Sequence, residues 1–180
     1  MTTNNKITDF FKFTLHPNEK KPNTAFGNKQ NWKKKLVASE KHNVGILCGQ
    51  VNNIIGVDLD MYKWGEDHSF IKLFGADPTM FDTLTQKTPN GGYHLIFEYD
   101  VDIPQTQNEE YGIDIRSDGG YLVAAGSSIN GVHYEIFNDK PVRPLPRDLK
   151  EWLLANIYTK EQKHTRKSQK GSAEFGRERR

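Results

Sequence analysis

The chain has almost no cysteine: Cys48 stands alone among 180 residues. One thiol excludes an internal disulfide and argues against any Cys-based zinc site. Long apolar runs are missing too. None approaches the roughly 20 residues of a helical membrane span, so no membrane partner is expected. The opening MTTNNKITDFFKF has one lysine followed by aromatics mixed with charges, unlike a secretory leader. No Walker pattern GxxxxGK[ST] occurs, so the chain carries no P-loop ATPase module of its own. No internal repeat is present. These absences point to an intracellular protein, or to a viral one made in an infected cell. Its length suits one domain with a respectable core.

What is present is unevenly charged. The net charge of +2 conceals +6 over residues 1–50, −9 over residues 51–120, balance over 121–159 and +5 over 160–180. An acidic middle is either plain solvation or a collector of divalent cations. The basic stretch NKQNWKKK reads as an exposed helix face, though it also suits phosphate contacts.

Periodicity and turn residues predict a mixed α/β (α+β) chain with many strands and few helices. Helices are expected over ITDFFKFTL, over KQNWKKKLVASEK, over GEDHSFIKLFG with acids in its first turn, and over PRDLKEWLLANI. Strands are expected over NVGILCG and NNIIGVDLD, joined by a short turn around residues 49–53. TLTQKT and YHLIFEYDV form a hairpin around PNGG. Two further short strands flank SDGG, and HYEIF adds another. A catalytic domain is expected over residues 1–158. Residues 159–180 read as a basic, disordered tail in which GSAEF resembles a linker left by cloning.

Three constellations carry chemistry. In IIGVDLDMYK an apolar strand runs into two carboxylates. Alternation along a strand puts Asp58 and Asp60 on one face, about 6.5–7 Å apart. Two such groups form half of a cradle for Mg²⁺ or Mn²⁺, or else mark an exposed strand end. In TPNGGYHLIF, flexible backbone at Gly91 and Gly92 stands just ahead of His94. Amides in such a turn can receive phosphate oxygens and the histidine can donate to the same group; an ordinary hairpin with a satisfied histidine is the plainer reading. In GIDIRSDGGYLVAAGS, Asp114 alternates with Ile113 and Ile115, so it points away from both. A carboxylate there would complete a three-Asp metal site. Arg116 shares its face, either as a structural ion-pair partner or as a neutraliser of triphosphate. The remaining histidines lack a comparable setting.

Taken in order, VDLD, TPNGGYH and GIDIRSDGGYLVAAGS resemble the bifunctional primase–polymerase domain of the archaeo-eukaryotic primase superfamily, over about residues 17–154. The resemblance implies a fold that pairs an α/β unit with an RRM-like unit around the active site. It also implies template-directed nucleotidyl transfer, as DNA primase or polymerase. By position, Asp58, Asp60 and Asp114 would hold two divalent ions, and His94 would contact the nucleotide's phosphates. Arg116, Lys21, Tyr121 and Ser127 would belong to the nucleotide pocket. Relatives often carry serine two residues before the histidine; Gly92 stands there, leaving backbone donation only. The implied partners are single-stranded template, primer, dNTPs or NTPs, and a replicative helicase. A metal-dependent nuclease and a silent single-strand-binding module are the rival functions.

Overall fold

The computed structural model describes residues 6–159 and Gln162. Among these residues, eleven strands and two α-helices make up the framework. In chain order the strands are β1 (Lys12–Leu15), β2 (Asn43–Leu47), β3 (Ile54–Leu59), β4 (Thr85–Lys87), β5 (Tyr93–Glu98), β6 (Thr106–Asn108), β7 (Ile113–Arg116), β8 (Tyr121–Val123), β9 (Ser128–Ile129), β10 (Val132–His133) and β11 (Glu135–Asn138). The helices are α1 (Ser69–Phe74) and α2 (Arg147–Asn156). A six-stranded sheet runs β11-β4-β5-β3-β7-β6, and a three-stranded sheet runs β1-β2-β8. Every pairing within both is antiparallel. The class is mixed α+β, as the sequence predicts.

Strict alternation decides what each face of the large sheet meets. Ile55, Val57 and Leu59 of β3, Leu95 and Phe97 of β5, and Ile113 and Ile115 of β7 are all fully buried. They pack with Phe70 and Phe74 of α1 and with Leu149, Trp152 and Leu153 of α2. The opposite face meets the small sheet, where Ile54 and Ile96 join Val44, Ile46 and Leu122. At Gly56 the two sheets come very close. A Cβ there would lie 2.5 Å from the Leu122 side chain, so only glycine permits the approach.

Both expected turns between neighbouring strands exist, but neither closes a hairpin within one sheet. The 49–53 turn carries the chain from the small sheet (β2) to the large one (β3), and SDGG carries it back from β7 to β8. The two crossings are tied together, because Asp118 accepts a hydrogen bond from the Gln50 amide at 2.8 Å. The β4–β5 hairpin around PNGG forms as expected.

Two expected helices are absent. Residues 7–15 begin with a single 3₁₀ turn, Ile7–Asp9, and then extend into β1. Pairing with β2 buries Phe13 and Leu15 completely, and that tertiary gain outweighs local helical spacing. Over residues 29–41 only a 3₁₀ turn, Lys29–Asn31, forms. Beyond it Lys33 exchanges two backbone hydrogen bonds with Lys12, extending the β1 edge, and Val37 is left exposed. The short helix α1 does stop at Gly75, whose φ of 81° suits glycine. Its first turn holds no acid, however, because His68 is the N-cap: its Nδ1 accepts from the Phe70 amide. The closing helix α2 starts just after Pro146, with Asp148 in its first turn. Nearly all of the tail expected over 159–180 lies outside the described residues. Among those residues, no helix is long and apolar enough to cross a membrane.

Candidate active site

The register of the large sheet lines up a polar row across five strands. Gln86 of β4 stands opposite His94 of β5, His94 opposite Asp58 of β3, Asp58 opposite Asp114 of β7, and Asp114 opposite Gln107 of β6. Each is the odd-parity neighbour of core residues, so the alternation that buries Val57, Leu95 and Ile115 turns these side chains toward the other sheet. Asp58, Asp60 and His94 open into a cavity between the sheets, bordered also by Arg116, Lys20 and Tyr121. Asp58, His94, Asp114 and Arg116 thus share the sheet face turned toward β1-β2-β8.

Charges along this row and at the cavity are unevenly matched, and Asp114 lies outside the cavity lining. Asp114 is well held: Arg116 Nη2 donates to its Oδ2 at 2.9 Å, and the Asn108 amide to its Oδ1 at 3.3 Å. Asp60 pairs with Lys63 at 2.8 Å. Asp58 has His94 Nε2 at 3.5 Å, longer than a good hydrogen bond. Burial pushes the Asp58 carboxyl up to about 7, and the charges of Asp60 and Asp114 add to this, against the opposing pull of Arg116 and Lys20. Burial likewise pushes His94 down to about 3, with Lys20 and Arg116 reinforcing it, so the imidazole is neutral at physiological pH. Tyr134, stacked obliquely on His94 at 5.7 Å, has its phenol raised by burial and by the nearby Asp58 and Asp60.

Several expected contacts are arranged differently. The amides of Gly91 and Gly92 do not face the cavity as free donors: Gly91 donates to Thr88 O at 3.1 Å and Gly92 to Thr88 Oγ1 at 3.0 Å. The turn consumes them internally. Gly92 has a steric role instead, since a Cβ there would lie 2.5 Å from Leu59 O. A serine at this position would force that backbone to shift.

Lys21 lies outside the cavity lining, while its neighbour Lys20 is part of it. Tyr121 explains the placement: its hydroxyl donates to Lys20 O at 2.7 Å, holding that loop over the cavity. Ser127 is fully buried outside the lining, where its Oγ accepts from the Val44 amide at 3.0 Å and supports the small sheet. Sequence reasoning also missed Gln86, Tyr62 and Tyr134. Gln86 joins the row through strand register, Tyr134 reaches the cavity through sheet packing, and Tyr62 borders it from the 3₁₀ turn that follows Asp60.

In donor type, the residues fit a hard divalent cation: Asp58 and Asp60 offer carboxylate oxygens in the same cavity. Among the described residues, no three His, Cys, Asp or Glu side chains are gathered into a ready ligand cluster. The third carboxylate, Asp114, is held by Arg116 instead.

A search of curated proteins finds no significant match. A family profile, described as bifunctional DNA primase/polymerase, N-terminal, matches residues 10–148. That span takes in both sheets, the polar row and the cavity. The chain therefore belongs to the Prim-Pol family of bifunctional DNA primase/polymerase N-terminal domains.

Proposed function

We propose that this chain extends nucleic acid strands by template-directed nucleotidyl transfer, with the cavity between the sheets as its active site. Family membership points to DNA primase or polymerase activity in replication. The observation that carries the finer reading is the row His94–Asp58–Asp114, aligned across three strands beside the cationic side chains of Lys20 and Arg116. Carboxylates next to cations suit a substrate that is itself a polyanion.

In this reading Asp58, Asp60 and Asp114 hold two divalent ions, Mg²⁺ or Mn²⁺. Such ions, when bound, activate a hydroxyl and stabilise charge on a departing pyrophosphate. Lys20 and Arg116 neutralise the triphosphate, and neutral His94 donates a hydrogen bond to one of its oxygens. Arg116 then exchanges part of its contact with Asp114 for phosphate. The primer's 3′-oxygen gives up its proton to solvent and forms a bond to the α-phosphorus as the bond from that phosphorus to the α–β bridging oxygen breaks, releasing pyrophosphate. Single-stranded template, primer and dNTPs or NTPs are the substrates, and a replicative helicase is the natural partner.

Extension of a labelled primer on a single-stranded template tests this, with dNTPs or NTPs and Mg²⁺ or Mn²⁺. Growth that requires both template and metal, and that disappears in Asp58→Ala and Asp114→Ala variants of unchanged fold, is expected. Near-wild-type synthesis by either variant would overturn the assignment. Shortening of the labelled strand would favour a nuclease, and nucleotide-free, metal-independent binding of single strands would favour a silent binding module.

A further inference from the structure

Gln86 is fully buried at the end of the polar row, yet it does not reach the cavity lining. Three of its amide's four hydrogen-bonding directions are taken, two of them by fixed backbone groups. Its Oε1 accepts from the Ala125 amide at 2.6 Å, and its Nε2 donates to Val123 O at 3.0 Å. Both partners are backbone, so their donor and acceptor characters cannot change. A flipped amide would set N–H against N–H and oxygen against oxygen. The orientation is therefore dictated by the network.

The second proton of Gln86 Nε2 points to His94 Nδ1, 3.0 Å away. An amide nitrogen has no lone pair to offer, so Nδ1 must accept. In a neutral imidazole the ring proton then resides on Nε2, the nitrogen on the Asp58 side, 3.5 Å from Oδ1. The small sheet thus sets the state of a histidine carried by the large one.

We propose that Gln86 is a positioning residue that locks His94 in its Nε2–H form, making it a donor to substrate phosphate rather than a base. The phosphate half of this statement rests on the function proposed above; the tautomer half does not. Buried glutamine as simple core satisfaction is the competing explanation, and it would leave the ring proton free to choose.

Long-range ¹H–¹⁵N correlation spectra of the full chain decide between them, with His94 assigned by its disappearance in His94→Gln. In the native chain, Nδ1 should show the resonance of an unprotonated acceptor and Nε2 that of a protonated nitrogen. A proton on Nδ1 would overturn the proposal without any variant at position 86. In folded Gln86→Met the tautomers should mix; an unchanged pattern would also overturn it. With dATP as probe, Gln86→Met should raise the KM about tenfold with kcat little changed, and should add little to His94→Ala. If the spectra behave as expected but His94→Ala leaves the KM for dATP unaltered, the phosphate role proposed for His94 fails while the tautomer assignment stands.

Discussion

The two faces of the six-stranded sheet are made from the same strands and do opposite things. Toward the helices, β3, β5 and β7 present Ile55, Val57, Leu59, Leu95, Phe97, Ile113 and Ile115, all without solvent exposure. Toward the small sheet the same strands present Asp58, His94, Asp114 and Arg116. One face has interchangeable apolar groups and many neighbours. On the other, like charges sit close together and each side chain has few suitable partners. The first face holds the second in place: carboxylates that repel one another stay aligned because the strands beneath them are packed shut. Stability and function are thus separated by one residue of register.

Substitutions on the two faces should break this comparison in opposite directions. The largest stability effect belongs to the apolar face. Phe97→Ala empties a site packed against Phe81 and should cost about 3–5 kcal/mol, read as a lowered denaturation midpoint with any residual activity per folded molecule retained.

On the polar face, Asp58→Asn should instead stabilise the metal-free protein, by about 1–3 kcal/mol above neutral pH, while removing synthesis. The sign follows from proton binding. Asp58 titrates near 7 in the folded chain against an ordinary 3.8, so between these values the folded state holds a proton that the unfolded state has lost. Stability from this group is therefore present at low pH and declines as pH rises through that window. The advantage of Asp58→Asn should be full above about pH 7 and absent below about pH 4, a difference that thermal melts in chelator will reveal. A melt difference independent of pH would mean that Asp58 is not charge-strained.

The smallest effect separates two neighbours. Lys20→Ala should weaken nucleotide binding by about 1 kcal/mol, roughly fivefold, with the loss shrinking at high salt. Lys21→Ala should be neutral, because that side chain does not line the cavity. Equal losses in both would place the triphosphate elsewhere.

Much of the fold and half of the site were legible from alternation. Ile113-Asp114-Ile115-Arg116 announces a strand with one buried and one chemical face, and that is how it sits. Ile54 to Leu59 does the same for Asp58. Residues 7–15 were not legible, since Ile7, Phe10 and Phe11 keep helical spacing while Phe13 and Leu15 keep strand alternation, and only β2 placed beside them decides. Asn130-Gly131, both at positive φ, is a strong two-residue hairpin signal for β9 and β10 that the sequence reading passed over. The Gly91–Gly92 amides were misjudged for another reason. A glycine-rich turn exposes donors in principle, but whether they are spare depends on Thr88, whose carbonyl and hydroxyl take both.

By itself the sequence determined the side-chain parity of β3, β5 and β7, the order of the three motifs and the chemical types available at the site, because these depend only on local alternation and residue identity. Only the tertiary structure decided which strands became neighbours. It sent β2 and β3 into different sheets, chose Lys20 over Lys21 and set Gln86 behind His94. Those outcomes rest on pairings between residues far apart in the chain. Such pairings are selected by the burial and hydrogen bonding of the whole assembly, and no short window of sequence encodes them.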